Sequence, residues 1–147
     1  MFLPDENKIE QNENENEIAV VEESKQIMAT DEMTFEQKKN ALNALTQFKS
    51  IWDELKENVE LKINVVTILQ MPVEQTDRNT GEVRNVTRCV FITDDNRSFA
   101  TSSEAINETV NVVRAVFGKL ENFEQPLPCV FKKAYSNGGN QYINLSF

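Results

Sequence analysis

Eight side chains in this sequence have the types and placement to meet a charged, aromatic ligand: Arg84, Arg88, Arg97, Phe99, Lys132, Lys133, Tyr135 and Tyr142. Guanidinium and ammonium groups follow phosphate oxygens, and aromatic faces stack on nucleobases at about 1–3 kcal/mol each. Other chemistry finds little support. No histidine occurs in the 147 residues, which removes imidazole acid/base catalysis and the usual zinc ligand sets. Cys89 and Cys129 lie in separate apolar runs and read as buried thiols, too few for a structural zinc site. The run Asp94, Asp95, Asn96 between two apolar stretches is turn chemistry rather than a metal or acid pair. There is no Gly-rich phosphate loop and no nucleophile beside a base, so the expectation is a chain that is not an enzyme and has no cofactor and no metal.

The elements that must carry these side chains follow from periodicity. A Val/Ile-rich run at 61–70 alternates through Leu61, Ile63 and Val65, then turns apolar on both faces, which calls for a bulge or a long coiled strand. Pro72 is expected to end it. After a polar turn at 75–82, the run 83–93 puts Arg84, Val86, Arg88, Val90 and Ile92 on one face and Asn85, Thr87, Cys89 and Phe91 on the other. A short strand at 97–100 points Arg97 and Phe99 the same way. Thr101 and Glu104 make a capping box that opens a helix over 103–120, with Ile106, Val110, Val113, Val116, Phe117 and Leu120 on its packing face. Pro126 and Pro128 end that region, a strand follows at 127–135, SNGGN at 136–140 is a hairpin signal, and a last strand occupies 141–147. The order β-β-β-α-β-β over 59–147 predicts a mainly β protein with α, an OB-like five-stranded barrel.

Ahead of it, Thr34 and Gln37 form a T-x-x-Q box opening one amphipathic helix over 34–58. Phe35, Leu42, Leu45, Phe48, Ile51, Trp52 and Leu55 share its stripe, read as a packing face against the barrel. Pairing with the same helix of a second subunit, giving a homo-oligomer, is the alternative.

Charge is divided unevenly. Residues 1–33 carry ten acids against Lys8 and Lys25, so they hold all but one unit of the net charge of −9. Their Asn/Glu/Gln composition predicts a disordered acidic tail, with the apolar patch 18–21 as the one place that could dock. The rest is nearly neutral, which leaves room for a local basic face. The start MFLPDENK has no basic n-region or apolar core of signal-peptide length, and no later run approaches a membrane span. A cytoplasmic setting without membrane contact is expected.

The stretch TRCVFITDDNRSFATSSEAINETV at 87–110, with KKAYSNGGNQYINLSF at 132–147, resembles the single-stranded DNA-binding proteins of small protein-primed phages of Gram-positive bacteria. The resemblance covers about 61–147. It implies an OB-like barrel that coats and protects single-stranded DNA during phage replication, in the host cytoplasm and alongside replication proteins, with Phe99 in the place of a family aromatic. Where the family can offer further tyrosines this chain has Met71, Pro72 and Arg78, and 34–58 and the tail fall outside the match. Two readings stand beside it: an acidic interaction or inhibitor protein acting on a host enzyme, and a single-stranded RNA binder, since a stacking groove need not reject a 2′-hydroxyl.

A tethered polyanion competes with phosphates for the chain's own cations. Deleting 1–33 is expected to tighten binding to oligo-dT most at low salt, with the gain shrinking as ions screen charges beyond roughly 8 Å. An affinity series across salt with both forms measures this. Equal affinities throughout would leave the tail a role in partner recruitment or solubility.

Overall fold

The computed structural model describes residues 33–147 and the backbone of a strand at 19–21; the tail expected over 1–33 otherwise lies outside the described residues. The chain is mainly β with helices. Strand β1 (Ala19–Val21) is followed by α1 (Phe35–Thr46), β2 (Lys49–Ser50), α2 (Ile51–Glu57), β3 (Glu60–Thr76), β4 (Val83–Thr93), β5 (Ser98–Thr101), α3 (Glu104–Phe117), β6 (Leu127–Tyr135) and β7 (Gln141–Ser146). The sheet runs β2-β5-β4-β3-β6-β7, with β1 paired to β3.

Strand β3 is longer than the expected 61–70 and serves two partners in turn. Glu60 to Val65 pair with β6, and Val65 to Thr76 pair with β4, with a register shift between Val65 and Thr67. The bulge anticipated from the apolar pattern is therefore present, and it reverses the facing of the strand. Leu61, Ile63, Val65 and Ile68 enter the main core, while Leu69 enters a second cluster on the opposite side.

Pro72 does not end the strand. It sits opposite Thr87 in the β4 ladder, while the β6 pairing stops at Val65 and the β1 pairing starts at Val73. A residue with no N–H is tolerated where one edge has no ladder to feed. Nearer the bulge, that same edge is closed by the segment after α3: Ile68 N–H donates to the Leu120 carbonyl at 2.8 Å and Phe123 N–H to the Val66 carbonyl at 2.9 Å.

The single helix expected over 34–58 is two helices. Its start is as read: Thr34 Oγ1 accepts from Gln37 N–H at 3.2 Å, and Gln37 Oε1 accepts from Thr34 N–H at 2.9 Å. After Thr46 the chain leaves the helix, Ser98 Oγ donates to the Gln47 carbonyl at 3.1 Å, and Lys49 and Ser50 pair in parallel with Phe99 and Ala100. Ser50 Oγ then accepts from Asp53 N–H at 3.3 Å and caps α2. Edge pairing to β5 has overridden helix propagation, and the supposed stripe is split. In α1 the residues pressed on the sheet are Ala41 and Ala44, whereas Phe35 is 82% and Leu42 63% exposed. In α2, Ile51 and Leu55 enter the main core.

Helix α3 is capped by Ser103, whose Oγ accepts from Ile106 N–H at 3.3 Å, and stops at Gly118, φ +79°, short of the expected 120. Ile106, Val110 and Val113 are buried, but Val116 and Phe117, expected on the same face, are exposed. The main core gathers Phe91, Phe99 and Phe131 from three strands, with the Phe91 and Phe131 rings edge to face at 5.1 Å.

Leu42→Gln should shift stability by no more than about 0.5 kcal/mol, whereas Ala44→Gln, overpacking a closed contact, should cost about 1–3 kcal/mol. Urea unfolding of the two variants tests this, and the opposite ranking would restore the apolar stripe as the packing face.

Candidate nucleic-acid interface

The predicted side chains occupy three places rather than one. On β4, Arg84 and Arg88 share a face, as alternation requires. Arg84 is exposed opposite Gln75, and the Arg88 guanidinium lies 4.9 Å from the centroid of the Phe48 ring. On β6 and β7, Tyr142 stands opposite Ala134 and Asn144 opposite Lys132, so Lys132 and Tyr142 share one face. Lys133 and Tyr135 take the other. The Lys133 ammonium lies 5.7 Å from the Trp52 ring centroid, and the Tyr135 hydroxyl accepts from Gln141 Nε2 at 3.0 Å. Tyr135 is 64% and Tyr142 39% exposed, enough open ring for a base to stack on.

Two of the eight are differently placed from what their chemistry asked. Phe99 is only 1% exposed and packs in the main core, so its face is spent on protein. The reason is register: Phe99 pairs with Phe91 in the β4 ladder and with Lys49 of β2, which places it between two strands at the core wall. Arg97 is exposed but committed, its Nε donating to both carboxylate oxygens of Asp95 at 3.1 and 3.0 Å. The Thr93 hydroxyl, with Arg97 second, holds the Asp95 carboxyl below the usual carboxylate range.

Lys132 also has an acid beside it, since Glu60 accepts from Lys62 at 3.1 Å and Lys132 at 3.5 Å. Lys62 chiefly, with Lys132, lowers the Glu60 pKa. These pairs are open to solvent, where an ion pair contributes little to stability.

Two rings that the sequence reading assigned to packing stand beside two of the candidate cations. Phe48 and Trp52 flank the break between α1 and α2, half-buried, each with a cation over its ring. Four residues span at most roughly 14 Å. Arg88 of β4 and Lys133 of β6, from strands on either side of β3, are thereby brought to one short stretch of chain. The signal that could have located it is Ser50 three residues before Asp53, a second helix start inside the supposed helix.

Among the described residues no three His, Cys, Asp or Glu side chains cluster to hold a metal. Both cysteines are free and buried. Burial pushes the Cys89 thiol up to about 12, against weaker opposite pulls from Gln70 and Arg114, and burial pushes Cys129 up to about 12.

A β surface with spaced cations beside open aromatic rings is the equipment of a non-catalytic binder of single strands. Consistent with it, the chain is similar to the single-stranded DNA-binding protein of Bacillus phage GA-1, 26% identical over 120 residues that cover 80% of this chain and 71% of that protein. The resemblance to phage single-stranded DNA-binding proteins is thus borne out. No family model and no solved structure matches the chain.

With neither thiol ionised below its raised pKa, the native protein at pH 8 should resist iodoacetamide, and both cysteines should alkylate once it is unfolded in denaturant. Mass spectrometry reads the adducts. Alkylation of the native form at the rate of a free thiol would show that the core is open.

Proposed function

We propose that this chain is a non-catalytic protein that coats single-stranded DNA during phage replication and holds displaced strands in the host cytoplasm. The observation that carries the reading is the similarity to the phage GA-1 protein named for that binding. The architecture supports it. With β3 at the centre, β4 and β5 on one side and β6 and β7 on the other, and α3 between β5 and β6, the five strands follow the order of an OB-like barrel. Strands β1 and β2 and helix α1 are additions. Arg84, Arg88, Lys132 and Lys133 neutralise phosphates, and Tyr135 and Tyr142 receive bases, with Arg97 available when Asp95 releases it. The exposed Phe35 and Leu42 on α1 favour pairing of subunits through that helix, and replication proteins are the further partners.

Titrating oligo-dT and an equal RNA strand by fluorescence anisotropy tests the reading; no DNA binding at low salt and micromolar protein would remove it, and tighter RNA binding would redirect it. Within it, Tyr135→Ala and Tyr142→Ala should each cost about 1–3 kcal/mol of affinity, nearly independent of salt. Arg84→Ala, Arg88→Ala and Lys133→Ala should each lower the slope of log affinity against log salt by about 0.7. Phe99→Leu should lower the unfolding midpoint and leave the affinity nearly unchanged.

A further inference from the structure

Between α1 and the sheet lies a cleft of about 350 Å³ lined by Met33, Gln37, Asn40, Val66, Thr67, Ile92, Asn96, Asn122 and Phe123. Its lining is unusual for a packing gap. The floor is apolar, through Met33, Val66, Ile92 and Phe123. The walls carry four carboxamides and no charged group, which rules the lining out as a site for a phosphate or a metal ion.

The walls are fixed by their own bonds. Gln37 Nε2 donates to Asn122 Oδ1 at 2.7 Å and Asn122 Nδ2 donates to Gln37 Oε1 at 3.3 Å, a reciprocal amide pair. Asn122 N–H donates to Thr67 Oγ1 at 3.1 Å, and Asn96 N–H to the Thr93 carbonyl at 3.1 Å. Asn96 and Asn122 both hold a left-handed backbone, φ +64° and +54°. Such positions favour asparagine and glycine, and here asparagine brings an amide to the cleft. The side chains of Asn40 and Asn96 donate to and accept from no other described residue, so their hydrogen-bonding capacity is unspent at the mouth of a pre-formed cleft.

We propose that this cleft is a subsite for one neutral nucleobase, its ring on the apolar floor and its edge hydrogen-bonded by Asn40 and Asn96. A carboxamide presents a donor and an acceptor side by side, the complement of a base edge, and apolar side chains suit the flat face. The volume falls at the small end of ligand pockets, about 300–1,000 Å³, room for one monomer and not a run of them. Asn96 precedes the exposed Arg97 on the same turn, so a nucleotide entering the cleft leaves its phosphate near a guanidinium. The proposal deepens the DNA-binding reading and rests on it for the source of the base.

The test follows side-chain amide signals of the full-length, ¹⁵N-labelled protein during separate titrations with thymidine, deoxyribose 5-phosphate and oligo-dT, in the native chain and in Asn40→Ala/Asn96→Gly. Glycine keeps the left-handed turn, and alanine is at home in α1, so the variant retains the fold. Thymidine is expected to shift the Asn40 and Asn96 amides saturably, the sugar phosphate is expected to leave them in place, and the variant should bind thymidine at least fivefold more weakly. If oligo-dT binds while neither it nor thymidine moves these amides, the subsite is overturned and the coating function stands. If thymidine binds there but oligo-dT does not bind at all, the cleft takes free nucleosides and the coating function falls. If neither binds, both fall.

Discussion

Strand β3 pairs with β6 through its first third and with β4 through the rest, and a chain whose side chains alternate with a period of two can serve both only by slipping once. The slip between Val65 and Thr67 is the constraint on which the other elements depend. Before it, odd-numbered residues face the main core; after it, Ile68 faces that core and Leu69 faces away. Were the alternation unbroken, Ile68 would be turned outward and its neighbours inward, and the core built around Phe91 and Phe131 would lose one wall. The carbonyl and N–H groups beside the slip are paired with the segment after α3, so the irregular backbone leaves these polar groups satisfied.

Because β3 leaves an apolar residue on the outer side after the slip, that side needs a cover, and α1 supplies it with Ala41 and Ala44. Small side chains let the helix lie close, with Leu45 packed beside them, and Phe35 and Leu42 are turned to solvent. The short β2 then anchors the chain to the β5 edge before α2 turns Ile51 and Leu55 into the main core. The same turn presents Phe48 and Trp52 to Arg88 and Lys133. One break in a helix thus sets both the packing of α2 and the cation–ring contacts of Phe48 and Trp52.

Much of the strand pattern was legible because it rests on local rules. The run 83–93 is β4 to the residue, and the SNGGN turn closes β6 on β7 through Ser136 and Asn140, with Gly139 at φ +85°. The face of Arg84 and Arg88 follows from alternation alone. What sequence could not decide was competition between a helix and a distant edge: the 34–58 stripe is helical in period, yet parallel pairing of Lys49 with Phe99 of β5, far along the chain, wins. Phe99 failed for the same reason. Its neighbours in the ladder, not its type, decide whether a ring meets solvent. Pro72 was misread because its tolerance depends on which edge is unoccupied, a fact of topology.

The β4 ladder with β5 covers only Cys89 to Ile92, so among the described residues Val83 to Val86 have β3 on one side and no partner strand on the other, while the Thr87 carbonyl accepts from Asn107 Nδ2 at 2.8 Å. An open row of backbone donors and acceptors can recruit a strand from another molecule, and proteins blunt such rows with charge. Arg84 and Arg88, with Asn85 between them, stand on this margin. Their positive charge opposes the stacking of a second copy against the same margin. The two arginines alternate along the margin with Val83, Val86 and Thr87, so the strand keeps its β-branched residues while like charge guards its edge.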